Sequence, residues 1–268
     1  MASTPEPVSL AERLTLEQFP RSAAYDPAWT IEHRMGPNVL WLTEFLTEAV
    51  RLQPGMRVLD MGCGRALSSI FLAREFGVQV WATDLWIRAS DNWQRVCEAG
   101  LQDRICPVHA EAHSLPFAAG FFDAAVSLDA YHYFGTDDLY LGYYARFVRP
   151  EGQIGIVVPG LKTELGGAVP PHLAPYWHWD FCSFHSPDWW RTHWAKSGLV
   201  DVTVADWLPE GWKLWQMWNE VCDEQAGRET PGEEAEMLRV DAGRTLGFTR
   251  VVARRRASPS YDSPLYRS

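Results

Sequence analysis

The segment that most constrains this chain is VLDMGCGRAL, residues 58–67: a short apolar run, a Gly-x-Gly turn, then a helical pattern. Arg57–Met61 reads as a buried strand, and Ala66–Phe76 as the helix that follows. Gly62 and Gly64 let the backbone turn tightly and come close to a ligand. The helix behind them aims its first amides at the same point, which favours an anionic group. On its own such a turn is only a strand-to-helix connection. Its weight comes from what repeats around it.

Strands and helices alternate along the chain. After the first pair come a strand at Val78–Thr83, a helix at Leu85–Ala99 closed by Gly100, and strands at Ile105–His109 and Phe121–Leu128. A helix follows at Thr136–Val148, stopped by Pro150-Glu151-Gly152, and then a strand at Gln153–Val158. This order predicts a doubly wound parallel sheet. Two helical patterns, about 27–34 and 37–52, precede it, and the polar, Pro-bearing residues 1–20 are expected to fray. Past 158 the period is lost. A long aperiodic stretch inside a compact domain is usually a binding loop or lid, here about 161–185. A helix then starts with Ser186 as N-cap and Pro187 in the first turn and runs to Lys196. A strand at Val200–Ala205, two helices within 211–244 split near Thr230-Pro231-Gly232, and a strand at Phe248–Ala253 complete the domain. The domain reading is therefore an N-terminal segment with a lid helix at 1–34, a main domain at 35–254, and a Ser/Pro/Tyr-rich disordered tail at 255–268.

Composition removes several classes of function. The formal net charge of -10 repels nucleic acid and anionic lipid, so neither is expected as a partner. The basic run Arg254-Arg255-Arg256 reads as a solvated strand end. The five cysteines show no metal-ligand spacing, so no metal is expected. The N-terminus lacks the pattern of a signal peptide and no apolar run is long enough for a membrane span, which leaves the cytoplasm as the expected location.

Two acids sharpen the glycine turn. Asp60 stands at the end of the first strand and Asp84 at the end of the second, twenty residues after Gly64. An acid at the second position can accept both ribose hydroxyls of an adenosine. A dinucleotide fingerprint wants a third glycine where this chain has Leu67. Asp60 would also sit badly beside a pyrophosphate, but well beside an amino-acid ammonium group.

From about Met35 to Gly160 the chain resembles class I S-adenosylmethionine (SAM)-dependent methyltransferases of the small-molecule type. VLDMGCG resembles their glycine-rich motif; the likeness implies that Asp60, Gly62, Cys63 and Gly64 hold the methionine part of the cofactor. It assigns Asp84 to the ribose, and Leu85 and Trp86 to the faces of adenine. HAEAHSLPF, residues 109–117, resembles the segment at the adenine edge, here Glu111 and Ala112. FFDAAVSLDAYHYF, residues 121–134, resembles the fourth strand with its outgoing loop, placing Leu128 at the cofactor. The fold implied is α/β, a doubly wound seven-stranded Rossmann-like sheet with its last strand antiparallel, carrying helical N-terminal and aromatic-rich lid insertions. SAM is the implied cofactor and S-adenosylhomocysteine (SAH) its product.

Methyl transfer from a sulfonium needs an aligned acceptor and a dry site, plus a base where the acceptor carries a proton. His132 is the candidate base, since ligands of doubly wound sheets lie beyond the carboxyl ends of the strands and histidine titrates near working pH. Asp129, Tyr131 and Tyr133 flank it and are placed to orient it or line the pocket. Nine of the 14 tryptophans fall at 177, 179, 189, 190, 194, 207, 212, 215 and 218. Those on helical patterns read as core. Tyr176, Trp177 and Trp179 in the aperiodic stretch, with Tyr25 near the N-terminus, read as walls for a small-molecule acceptor, either a cation or a flat aromatic. O- or N-methylation is the leading expectation; the alternatives are a different reaction on the same fold, such as a cyclisation, and a non-catalytic binding protein. The acceptor and the oligomeric state stay open.

Overall fold

A computed structural model describes residues 9–257. The strands are β1 (Arg57–Met61), β2 (Gln79–Asp84), β3 (Ile105–His109), β4 (Phe122–Leu128), β5 (Val148–Leu161), β6 (Val200–Trp207) and β7 (Leu246–Arg255). They form one sheet in the order β3-β2-β1-β4-β5-β7-β6. The first five are parallel, and β7 runs antiparallel between β5 and β6. This is the doubly wound, seven-stranded α/β sheet with an antiparallel last strand that the sequence predicts.

The helices are α1 (Leu10–Leu14), α2 (Pro27–Glu32), α3 (Val39–Thr47), α4 (Leu67–Phe76), α5 (Ala89–Glu98), α6 (Tyr140–Ala145), α7 (Pro187–Ala195), α8 (Gly211–Gln225) and α9 (Glu233–Asp241). One face of the sheet is covered by α3, α4 and α5 together with α8 and α9, through Leu46, Phe71, Val96, Trp218 and Leu238. The other face packs under α6 and α7, where Tyr144, Trp190 and Trp194 are fully buried against Leu59, Ala125 and Ile156. Of the clustered tryptophans on helical patterns, Trp212 stays outside the core and Trp189 packs partly buried against it, whereas Trp190, Trp194, Trp215 and Trp218 are buried core as expected. Removing a ring of this size from such a place costs about 3–5 kcal/mol.

Several boundaries differ from the expectation. Residues 9–20 are not frayed. Ser9 and Glu12 form a reciprocal capping box on α1, and Phe19 is buried against Trp41, ring centroids 6.1 Å apart. A five-residue helix is too short to show periodicity, so the sequence pattern misses it. The helix expected from Leu85 starts only at Ala89, because Asp84 Oδ1 accepts the amides of Trp86 and Ile87 and holds a turn there. Pro150-Glu151-Gly152 does not precede the fifth strand but lies inside it, as a register shift against β4 with Glu151 at φ +63°. Arg255 belongs to β7 rather than to the tail. Arg254 and Arg256 pair with Glu151 and Asp201, in keeping with a strand end. The disorder expected of the tail falls on 258–268, and part of the expected fraying on 1–8; both lie outside the described residues.

The stretch after β5 contains two short 3-10 turns, Ala174–Tyr176 and Trp179–Ser183. It is tied to α9 by His172 Nε2, 2.9 Å from the buried Asp241, whose other oxygen accepts the amides of Thr245 and Leu246. Among the described residues no helix is long and apolar enough to cross a membrane.

Candidate functional site

β1 pairs with β2 on one side and β4 on the other, so the winding reverses there and a crevice opens beyond the strand ends. It holds a cavity of about 270 Å³. The floor is the turn after β1. Gly62 and Gly64 have φ of +74° and +53°, a region costly for other residues. A Cβ on Gly62 would stand 2.3 Å from the Ala130 Cβ, and one on Gly64 would stand 3.0 Å from the Met35 sulfur. Both glycines therefore keep a close-fitting cradle open.

Asp84 fixes that cradle. Its Oδ2 accepts the Gly64 amide at 2.8 Å, while Oδ1 accepts those of Trp86 and Ile87 at 2.7 and 2.9 Å. One carboxylate thus joins the glycine turn to the loop after β2 and still borders the cavity. Leu85, Trp86, Glu111, Ala112 and Leu128 line the same space, with Cys63 in the floor. Trp86 is 70% exposed, a large apolar ring left for a ligand to cover. Glu111 accepts the His113 amide and lies 2.7 Å from its Nδ1, which holds its carboxyl below the usual range.

Asp60 is fully buried beneath the floor and does not border the cavity. Ser68 and Ser69 each donate a hydroxyl to Oδ2 at 2.6 Å, while Oδ1 has no donor. Burial raises its carboxyl to about 6, against the two hydroxyls. Asp60 thus sets a carboxyl beneath the glycine cradle, where it braces α4 through Ser68 and Ser69, and does not make the direct cofactor contact expected of it. With an acid for a ribose at Asp84 and exposed apolar faces at Leu85 and Trp86, these residues fit SAM.

The remaining residues singled out by sequence are more scattered. Tyr133, 55% exposed, is on the cavity wall. His132 is not. It is 2% exposed, behind Tyr133, with ring centroids 4.0 Å from Tyr133 and 5.6 Å from Phe184. Among the described residues its Nδ1 has no partner, and burial lowers its pKa to about 3. Tyr131 is fully buried among Tyr140, Tyr144, Trp190 and Trp194, because the 3-10 turn at Tyr131–Tyr133 points alternate rings into opposite layers. Tyr25 packs on Phe71 and bonds Glu75, away from the cavity. Tyr176 and Trp177 pack on the core, and Trp179 is 86% exposed to solvent. None of these last residues borders the cavity. Asp129, expected to orient His132 or line the pocket, is on the cavity wall, and Met35 covers one side as part of a strap His33–Pro37; sequence reasoning missed His33 and Pro37 of that strap and the wall residues Ala130 and Phe134. The strap is held down by Trp218 Nε1, which donates to the Gly36 carbonyl at 2.8 Å across 182 positions of sequence. Only the Gly36 in the strap carried a local signal.

A profile described as "Methyltransferase domain" matches residues 58–152, from β1 to the bulge in β5. Erythromycin 3''-O-methyltransferase of Saccharopolyspora erythraea is 32% identical over 189 residues, covering 64% of this chain and 60% of the relative. Methyltransferase GfsG of Streptomyces halstedii is 30% identical over 155 residues, covering 56% and 53%. The chain thus spans a little over half the length of these relatives. A geranyl diphosphate methyltransferase solved in complex with SAM superposes with a TM-score of 0.65 at 21% identity, over 80% of this chain and 84% of that one. The matched region holds the glycine cradle, Asp84 and the adenine-edge segment, so residues 58–152 are similar to a methyltransferase domain and the fold is that of solved SAM-binding methyltransferases.

Proposed function

We propose that the protein transfers the methyl group of SAM to oxygen or nitrogen of a small-molecule acceptor. One observation carries this reading: a single cavity runs from Asp84 and Trp86 over the glycine cradle to Asp129 and Tyr133. A cofactor held by the first group therefore meets whatever the second group binds. When bound, SAM supplies a methyl group activated by a positive sulfur. Asp84 accepts from the ribose, Trp86 and Leu85 cover adenine, and Gly62 to Gly64 hold the amino-acid end. The strap at Met35 and Pro37 keeps water out, and alignment supplies most of the rate. Incubation with methyl-labelled SAM and metabolite extracts tests this. A product one methyl heavier supports transfer, whereas a product of unchanged mass points to another reaction on the same fold.

In this reading His132 is a positioning residue. Its ring joins Tyr133 on the cavity wall to Phe184, which stacks on Phe181 at 4.6 Å and so connects to the segment after β5. A histidine kept neutral by burial binds its proton only on unfolding. With a folded pKa near 3 and an unfolded value near 6.5, the unfolded state holds more protons between those limits, so stability falls as pH drops below about 6.5. From pH 7 to 5 this one residue removes about 2 kcal/mol. Denaturant titration at both pH values should show His132→Gln losing about 2 kcal/mol less than the wild type. Equal losses would mean that His132 is already protonated in the fold, and a base role would return.

A further inference from the structure

The outer end of the cavity carries a carboxyl that, among the described residues, no protein donor meets. Asp129 follows β4 directly. Its amide still donates to the Val157 carbonyl at 2.8 Å, but its φ is +55°, so the side chain leaves the sheet and turns into the cavity. Oδ2 comes so close to Gly36 that a Cβ there would stand 2.4 Å away. Only glycine in the strap leaves room for this carboxyl. Among the described residues no protein donor bonds to it. Burial and the nearby Glu234 push its carboxyl well above the usual range.

Tyr133 stands beside it, and burial followed by the fields of Asp129, Asp180 and Glu234 raises its hydroxyl to about 12. Those three acids come from the β4 exit, the 3-10 turn after β5, and α9. Arg65 also lines the cavity, with its guanidinium turned to donate to the Glu32 carbonyl at 2.9 Å. A carboxyl turned into a cavity beside an aromatic ring, with no protein donor among the described residues, is a group that a ligand can satisfy.

We propose that this outer end is a subsite for a cationic amine acceptor, with Asp129 as its recognition carboxylate and Tyr133 as its aromatic wall. The proposal rests on the SAM-site reading above and narrows it to amine substrates. A phosphorylated or carboxylate-only acceptor placed at this end would face the Asp129 carboxyl. An alcohol would leave the carboxyl pair uncompensated. An ammonium group satisfies Asp129 by charge and the ring face by cation–π attraction.

The test uses SAH-saturated protein and two probes of one shape, choline and its uncharged carbon isostere 3,3-dimethylbutan-1-ol, titrated by calorimetry or NMR. Choline should bind about tenfold or more tightly than the isostere. Asp129→Asn should remove most of that preference, and Glu234→Gln part of it, with SAH affinity held within about twofold. Asparagine tolerates positive φ, so the first variant keeps the turn. Equal affinities, no binding of either probe, or an unchanged preference in Asp129→Asn would overturn the proposal. So would a loss of SAH affinity in Asp129→Asn as large as the loss of choline, since Asp129 would then serve the cofactor. Failure of the wild type to bind SAH would instead refute the SAM-site reading, and this proposal with it.

Discussion

Asp84→Ala should weaken SAM binding by about 10²–10⁴-fold, the largest loss expected from any single side chain at the cavity. Two ribose hydroxyls donating to one carboxylate contribute about 1.5–3 kcal/mol each, and tenfold in affinity corresponds to about 1.4 kcal/mol. The same carboxylate accepts from Gly64, Trp86 and Ile87. Alanine therefore also releases the glycine turn from the loop after β2, and the upper part of the range applies. Asp84→Asn loses the ribose and Gly64 contacts but keeps the turn at Trp86 and Ile87. Its amide oxygen can still accept from Trp86 and Ile87, but its NH2 group faces the Gly64 amide and offers the ribose no acceptor. It should bind SAM nearly as poorly as alanine does while the loop stays ordered. Calorimetric titration of SAM into both variants reads this directly. Wild-type affinity in folded Asp84→Ala would remove the ribose assignment, and with it the strongest link between the cavity and SAM.

What sequence makes legible here follows from how local each signal is. Gly62, Gly64 and Asp84 mark a turn and a strand end, and the sheet, which is periodic, carries them to one cavity, with Asp60 buried beneath it. Leu128 and Ala112 arrive by the same route. The acceptor side is not periodic. Whether Tyr131, His132 or Tyr133 faces the cavity depends on one 3-10 turn in which successive rings point to different layers, and sequence gives no phase for it. Packing decides: Tyr131 fills the gap between Trp190 and Trp194, which sends Tyr133 to the cavity and leaves His132 between them. Asp129 is exposed to the cavity through a positive φ that an aspartate rarely signals. The strap depends on a contact between Gly36 and Trp218, far apart in the chain. The loop tryptophans look like pocket walls because aromatic density alone does not distinguish a wall from a core edge.

Gly62→Ala should both destabilise the fold and impair SAM binding, and a second substitution should separate the causes. The first cause is conformational. At φ +74° an alanine costs about 1–2 kcal/mol. The second is steric. The new methyl would lie 2.3 Å from the Ala130 Cβ, and neither atom belongs to a flexible side chain that can swing away. Relief requires the β1 turn and the β4 exit to move apart. The turn is held on its other side, because the Gly62 and Cys63 amides both donate to the Thr83 carbonyl, at 2.8 and 3.1 Å. Separation would therefore fall on the β4 exit, which carries Asp129 and Tyr133. Overpacking of this kind typically adds about 1–3 kcal/mol. Gly62→Ala alone should thus lose about 2–5 kcal/mol of stability. Ala130→Gly on the same chain removes the opposing methyl and leaves the Ala130 Cα at 3.8 Å, an ordinary contact. The double variant should recover the steric part, about 1–3 kcal/mol, and with it most of the SAM affinity, while the conformational part remains. Denaturant unfolding and SAM titration across the four-member cycle measure both. A double variant no better than Gly62→Ala would show that the two loops are not in contact, and that the cradle owes its shape to φ alone.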